Sequence, residues 1–449
     1  MKIGYIGLGA LGSQLARRFL SDHKLCVWDI NPTATSAFAA LGADVAPTAA
    51  ELARRSDIIF LCLPRSSDVR TVVFGENGLA AGMSSGKLLI DQTSGIPEET
   101  RRIADELLES GVEMMDAAVS ASPHIVASGG ATLMVAAPDR VFERALPALR
   151  AITDTIYRCG SRVGDGQAMK TVNNAMNAGC RLGTLEVVAA GRKAGLSLAS
   201  MSDFLSRSDA RNQTTEKMLP ALVQGKPSTN FALPLLLKDV TQAVSLGMSN
   251  RVPMPVTSIV RSMLQIGVNT LGETAQLEDM VGLIESMAGT RIADGRDIPS
   301  CTGENPKSSD HVGEHDIVDL LASAIASLCR LVTYECIAAG LKYGLALQDM
   351  AQVINRSSGW SDASKSVFAE LLGGTGGTSL DLRSVMDSVD VACTLGDRRG
   401  APMLIANTVR CLLEQAVNQI GAAARLDDLA ALYDAMTGVC LKRSAETPA

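Results

Sequence analysis

The first 160 or so residues alternate short apolar runs with longer amphipathic stretches. Lys2–Ile6, Leu25–Trp28, Asp57–Leu63, Lys87–Asp91, Glu113–Asp116, Thr132–Ala136 and Thr155–Arg158 read as strands, and helical patterns such as Leu11–Leu20 lie between them. This alternation predicts a doubly wound sheet, whose ligands sit at the carboxyl ends of the strands. The segments after Leu63 (Pro64-Arg65-Ser66-Ser67), after Asp91 (Gln92-Thr93-Ser94-Gly95) and after Met115 (running to Ala117-Ala118-Val119-Ser120) are therefore the expected ligand edge. From Gly166 the strand pattern fades, and Gly166–Gly195 reads as one long helix followed by further helices.

The helical region is duplicated. Residues 170–289 and 319–438 align without a gap at a constant offset of 149. Thr184-Leu185-Glu186 faces Thr333-Tyr334-Glu335, Arg207-Ser208 faces Arg356-Ser357, Pro253-Met254 faces Pro402-Met403, and Val268-Asn269 faces Val417-Asn418. The copies part where polar chemistry is concentrated. Lys170 becomes Asp319, Asn173-Asn174 becomes Ala322-Ser323, and Lys238-Asp239 becomes Asp387-Ser388. The expected organisation is a dinucleotide-binding domain over 1–163, a helical catalytic domain over 164–289, a linker over 290–315 rich in Asp, Gly, Pro and Ser, and a non-catalytic helical copy over 316–449.

Composition narrows the class. Of 449 residues 47% are hydrophobic, 20% charged and only 3% aromatic, which suits helices packed through small side chains. The formal charge of −7 argues against nucleic acid as the main partner. The ten cysteines include no CxxC pair and mostly sit in apolar runs, as buried reduced thiols of a cytoplasmic protein would. No apolar run is expected to reach the roughly 18 residues that span a bilayer, so no membrane partner is expected. His311 and His315, with Asp310, Glu314 and Asp316 beside them, lie in the linker without a further ligand set, and no metal is expected.

Chemistry gathers at two places. Gly7-Leu8-Gly9-Ala10-Leu11-Gly12 lies between a strand and a helix, and a second strand ends at Asp29. In such a loop the first glycine makes the tight turn, the second lets the backbone approach a pyrophosphate, and the third lets helix and strand pack closely. The helix N-terminus offers its free N–H groups to the phosphates. Asp29, 22 residues after Gly7, suits ribose hydroxyls, and Asp29-Ile30-Asn31-Pro32 supplies no Arg for a 2′-phosphate, so NAD is expected over NADP. The second place is Gly164-Asp-Gly166-Gln-Ala-Met-Lys170-Thr-Val-Asn173-Asn174, which sets an amine and an amide one helical turn apart. A lysine titrates near ~10.4, so as a base at neutral pH it must be buried or placed near positive charge; protonated, it polarises a carbonyl instead.

These residues resemble the β-hydroxyacid dehydrogenase family, which includes 3-hydroxyisobutyrate dehydrogenase and glyoxylate/succinic semialdehyde reductase, with 6-phosphogluconate dehydrogenase as a more distant relative. The resemblance covers residues 1–289 and rests on four segments: Gly7–Gly12, Asp116–Ser120, Gly164–Asn174, and Phe231 through Lys238-Asp239. It implies a Rossmann domain followed by helical 6-phosphogluconate-dehydrogenase-like domains. It also implies hydride exchange between NAD and a small carboxylate-bearing hydroxyacid, with Lys170 as proton donor or acceptor and Asn174 beside it. By the same resemblance Ser94, Ser120, Ala121, Ser122, His124 and Phe231 line the substrate, and Leu63, Pro64, Ser94, Lys238 and Asp239 join the glycine loop at the cofactor. Two glycines expected after Ser120 are replaced by Ala121 and Ser122, which leaves the substrate open. The family's helical domain pairs with that of another subunit, so the fused copy implies a pseudo-dimer within one chain; self-association of whole chains is left open. Three other readings stand beside this one: an imine reductase-like enzyme, against which Lys170 counts; an oxidative decarboxylase of a sugar acid phosphate, for which no clear cluster of basic residues is present; and a cofactor-binding scaffold without turnover.

Overall fold

The computed structural model describes residues 1–293, 314–374 and 380–442. It divides into two compact units, Met1–Lys170 and Thr171–Ala449. Residues 294–313, most of the expected linker with His311, lie outside the described residues.

In the first unit β1 (Lys2–Ile6), β2 (Lys24–Trp28), β3 (Asp44–Val45), β4 (Ile58–Leu61), β5 (Leu88–Asp91), β6 (Glu113–Ser120), β7 (Thr132–Ala136) and β8 (Ile156–Arg158) form one sheet of order 3-2-1-4-5-6-7-8. All neighbours are parallel except β6 and β7. The chain order reverses between β1 and β4, the crevice where a doubly wound sheet takes its ligand. The strands read as unbroken apolar runs because both sheet faces are covered. Ile3, Tyr5, Ile58, Phe60, Leu88 and Ile90 join one core, while Ile6, Ile59, Leu61 and Leu89 join the other. Three of the chain's few aromatics meet on the first face, with Phe19 and Phe60 ring centroids 4.9 Å apart and Tyr5 and Phe60 at 6.0 Å.

Two differences from the sequence reading matter for the site. β6 does not stop at Asp116. Buried Ala117, Ala118 and Val119 carry it to Ser120, paired with β7 from Asp116↔Ala136 to Ser120↔Thr132, so the loop that follows starts at Ala121. β3 gave no signal because both of its residues are exposed.

In the second unit the repeat reappears as matching helices. Leu198–Leu205 corresponds to Leu347–Ile354, Leu233–Ser249 to Leu382–Arg398, Pro255–Leu271 to Leu404–Ile420, and Met280–Ala288 to Leu429–Thr437, each 149 residues on. The copies pack around the long helices Asp165–Lys193 and Glu314–Tyr343. A Cβ at Gly183 would lie 2.0 Å from Leu328 Cδ1, and one at Gly179 would lie 2.9 Å from Val332 Cγ2. Leu328 and Val332 are the counterparts of Gly179 and Gly183, so a small pair on one helix receives the large pair that replaces it on the other.

Two buried glutamates exchange places across this contact. Glu186 accepts the backbone N–H groups of Ile405 and Ala406 at 3.0 Å, at the start of Leu404–Ile420. Glu335, its counterpart, accepts those of Val256 and Thr257 at 2.8 and 2.9 Å, at the start of Pro255–Leu271. Each copy thus caps a helix of the other, where free donors and the dipole favour a carboxylate. Asn212 and Ser361, also counterparts, form a backbone bridge with each other.

The membrane expectation needs one correction. Asp316–Tyr343 is long and apolar enough to cross a bilayer by length and composition, since the few charges in one 18-residue stretch of it do not offset that stretch's mean hydropathy of 1.6. In the structure it is the core helix of the second copy, with 72% of that stretch buried.

Candidate active site

The glycine loop closes on itself. Gly7 has φ +92°, and a Cβ there would lie 2.2 Å from the carbonyl of Cys62; one at Gly12 would lie 1.9 Å from the carbonyl of Gly7. Gly9 and Ala10 are exposed, nothing lies within 4 Å of a Cβ built at Gly9, and no side chain caps the helix Ala10–Arg17 that starts there. The first N–H groups of the helix are therefore left for an anion, and the cradle fits a dinucleotide pyrophosphate. Asp29 stands just past β2, where it holds two backbone N–H groups. It accepts the N–H of Leu8 at 2.6 Å and of Asn31 at 2.8 Å, which braces the glycine loop against the end of β2.

At the ends of β4 and β5, Thr93 accepts the N–H of Leu63 at 3.1 Å, and Pro64 is exposed beside it. Half-buried Lys170 donates from Nζ to the Ser94 hydroxyl, so the first unit brings these two predicted residues together. Ser120 ends β6, Ala121 and Ser122 follow, and exposed His124 lies with Nδ1 3.1 Å from Ser122 Oγ.

Beneath Lys170 lies a polar network that the motif reading did not single out. Asp91 and Asp116 are fully buried and adjacent in the β5–β6 register. Asp116 accepts the N–H groups of Gly164 and Gln167, both at 2.7 Å, and so fastens the start of the long helix to the sheet. Asp91 accepts Thr93 N–H at 2.9 Å and Gln167 Nε2 at 3.1 Å. The available signal was an acid closing the apolar run Leu88–Ile90, with Gln167 inside the Lys170 motif.

Burial pushes the Asp91 carboxyl up to about 6 and Asp116 up to about 8, against the pull of their N–H donors. In the helical unit burial likewise raises Glu186 and Glu335 to about 7. All four hold their protons more tightly folded than unfolded. Their contribution to stability is full below about pH 4 and is lost as pH rises through 6 to 8. The melting temperature is expected to be lower at pH 8.5 than at pH 5.5 by about 5 °C or more, read by circular dichroism.

In the second unit the amide of Asn174 donates to Asp239 at 2.7 Å, and Lys238 Nζ lies 3.4 Å from the same carboxylate. Asn173 is fully buried; it donates to Ser358 Oγ at 3.1 Å and accepts Gly359 N–H at 2.9 Å, so the second copy touches the asparagine pair of the first. Phe231 is half-buried, its carbonyl accepting Leu277 N–H at 2.8 Å. At the corresponding places in the second copy, Asp319 is exposed and Asp387 accepts a hydrogen bond from Arg383 at 2.9 Å. Among the described residues no group of three His, Cys, Asp or Glu is placed to hold a metal.

Comparison with known proteins gives this arrangement its class. Residues 2–160 match the NAD-binding domain of 6-phosphogluconate dehydrogenase. Residues 164–284 and again 313–434 match the NAD-binding domain of NADP-dependent 3-hydroxyisobutyrate dehydrogenase. The protein is an NAD(P)-dependent oxidoreductase that acts on CH–OH groups. The chain is 33% identical over 303 residues to 2-(hydroxymethyl)glutarate dehydrogenase of Eubacterium barkeri, covering 66% of this chain and 99% of that one. It is 30% identical to the mitochondrial 3-hydroxyisobutyrate dehydrogenase of Mus musculus, covering 59% and 81%. The structure of Mycobacterium tuberculosis 3-hydroxyisobutyrate dehydrogenase with L-serine shares the fold at a TM-score of 0.58 and 24% identity, covering 61% of this chain and 95% of that one. The chain belongs to the β-hydroxyacid dehydrogenase family.

Proposed function

We propose that the protein interconverts a small β-hydroxyacid and its semialdehyde or ketone, with Lys170 moving the proton and NAD as the cofactor. The observation that carries this reading is the Lys170 amine held on the Ser94 hydroxyl at the carboxyl edge of the sheet that bears the glycine loop. A nicotinamide cofactor held over the Gly7–Gly12 loop would supply or accept the hydride. In reduction the Lys170 ammonium donates a proton to the carbonyl oxygen, and its charge stabilises the oxyanion as it forms. In oxidation the neutral amine takes the hydroxyl proton. Ser94 keeps the amine oriented, and Asp239 orients the Asn174 amide toward its role as a substrate hydrogen-bond donor. Ser120, Ala121 and Ser122 receive the substrate carboxylate, with His124 at its margin; Phe231 and Lys238 keep the substrate and cofactor roles that the family resemblance implies.

The catalytic copy is assigned to 164–289. The copy at 316–449 replaces another subunit's helical domain and does no chemistry, a reading supported by Asp319 in place of Lys170 and by the exchanged glutamates. A cytoplasmic location fits this soluble-enzyme reading.

The test is a panel of β-hydroxyacids and semialdehydes followed by reduced-nicotinamide absorbance, in both directions and with both cofactors. Turnover of at least one hydroxyacid is expected; cofactor binding without turnover of any would leave only a scaffold. For that substrate KM for NAD is expected at least about tenfold below KM for NADP, because Asp29 repels a 2′-phosphate and residues 29–32 hold no cation to receive it. A lower KM for NADP would reverse the cofactor assignment.

A further inference from the structure

Position 181 carries a cation that the fold leaves unbalanced. Arg181, on the long helix Asp165–Lys193, is 7% exposed, and its Nε and Nη1 have no hydrogen-bond partner. Burial lowers its pKa to about 10, opposed by the charge of Glu278. One oxygen of that carboxylate, Oε2, accepts the Ser228 and Thr229 N–H groups at 2.9 and 3.4 Å and the Ser228 hydroxyl at 3.3 Å, and Glu278 makes no hydrogen bond to Arg181 Nε or Nη1.

The second copy shows the same place completed. Arg330, the counterpart of Arg181, is 5% exposed. Its Nη1 donates to both oxygens of Glu370 at 3.1 and 3.2 Å and lies 3.5 Å from Asp427, and its Nη2 donates to Ser366 at 3.2 Å. Asp427 corresponds to Glu278, so both copies keep that acid. Glu370 and Ser366 correspond to Ala221 and Lys217. The first copy has therefore kept the guanidinium and lost the carboxylate that faces it. The backbone changes at the same place. Asp362–Leu371 is an α-helix, whereas the first copy makes a π-helical turn over Thr214–Met218 before Leu219–Val223, a distortion common at functional sites.

A buried guanidinium with N–H groups left without hydrogen-bond partners is strongly unfavourable, and a carboxylate is its best-matched planar partner. We propose that Arg181 is the centre of a binding site for a small carboxylate anion, which takes the place that the side-chain carboxylate of Glu370 fills in the second copy. Ala221 omits the part of the side chain that carries charge in Glu370, and Lys217 adds a further positive charge nearby in sequence. Every residue of this site lies in the helical unit, and the inference is independent of the catalytic role of Lys170.

The test is thermal melting of the full chain in sodium acetate against sodium chloride at matched ionic strength. Acetate is expected to raise Tm above the chloride value by about 2–4 °C, saturably. Ala221→Glu supplies the missing carboxylate from within; it is expected to melt higher in chloride and to lose the acetate response. Arg181→Met is expected to lose the response as well, while Lys170→Ala keeps it, which separates this site from the catalytic one. Equal melting in the two salts, or an acetate response that survives in Ala221→Glu, overturns the proposal.

Discussion

Lys170→Ala is expected to lose about 100-fold or more in kcat while its affinity for NAD, read by quenching or by calorimetry, stays within about threefold of the parent. The asymmetry follows from what each part touches. The proposed cofactor cradle is Gly7–Gly12 with Asp29, whose bonds run to Leu8 and Asn31 and not to the lysine. Lys170 bonds instead to Ser94, and its helix start is fixed independently through Asp116 and Gln167. Removing the amine leaves that scaffold intact and takes away only the group proposed to exchange a proton. Added small primary amines are expected to restore part of the rate. A variant with near-parental kcat would remove Lys170 from the chemistry.

Glu335→Ala is expected to destabilise the helical unit by about 3 kcal/mol, a fall in Tm of roughly 5 °C. The substitution strips the acceptor from two buried N–H groups and from the Thr257 hydroxyl, which donates to the same carboxylate at 2.7 Å. The gap to the parent has a distinctive pH dependence. Because burial raises this carboxyl to about 7, its stabilising contribution is largest when it is protonated and shrinks as it ionises. The difference in Tm is therefore expected to be larger at pH 5.5 than at pH 8.5. Glu186→Ala is expected to behave alike, since its position and its bonds repeat those of Glu335. A gap that widens with pH would show that the ionised carboxylate, and not the neutral acid, is the stabilising form.

Much of the N-terminal unit could be read from the sequence because its information is local. The glycine loop, its flanking strands and Asp29 lie within thirty residues, and every strand except β3 announces itself as an apolar run. The duplication was legible for a similar reason: a fixed offset needs no knowledge of contacts. What could not be read depends on partners far along the chain. Glu186 and Glu335 were visible as a matched pair, but each finds its helix end in the opposite copy. Asp91 looked like strand punctuation and Asp116 like the first residue of a substrate segment until the sheet set them side by side under Gln167. The length of β6 was hidden because Ala117 and Ala118 are weak strand formers that hold the conformation by pairing with β7. The contrast between Arg181 and Arg330 required knowing that Glu370, forty residues on, faces the arginine.

The unlike packing at the crossing of the two long helices bears on how chains sort in a crowded cell. Two first copies brought together there would set Gly179 and Gly183 against the same glycines and leave a void; two second copies would drive Leu328 and Val332 into one gap. Neither like-with-like match fills the space. Tethering also keeps the proper mate at high local concentration. The two copies are in this way committed to pairing with each other, and sister chains gain nothing by trading helical domains through this face.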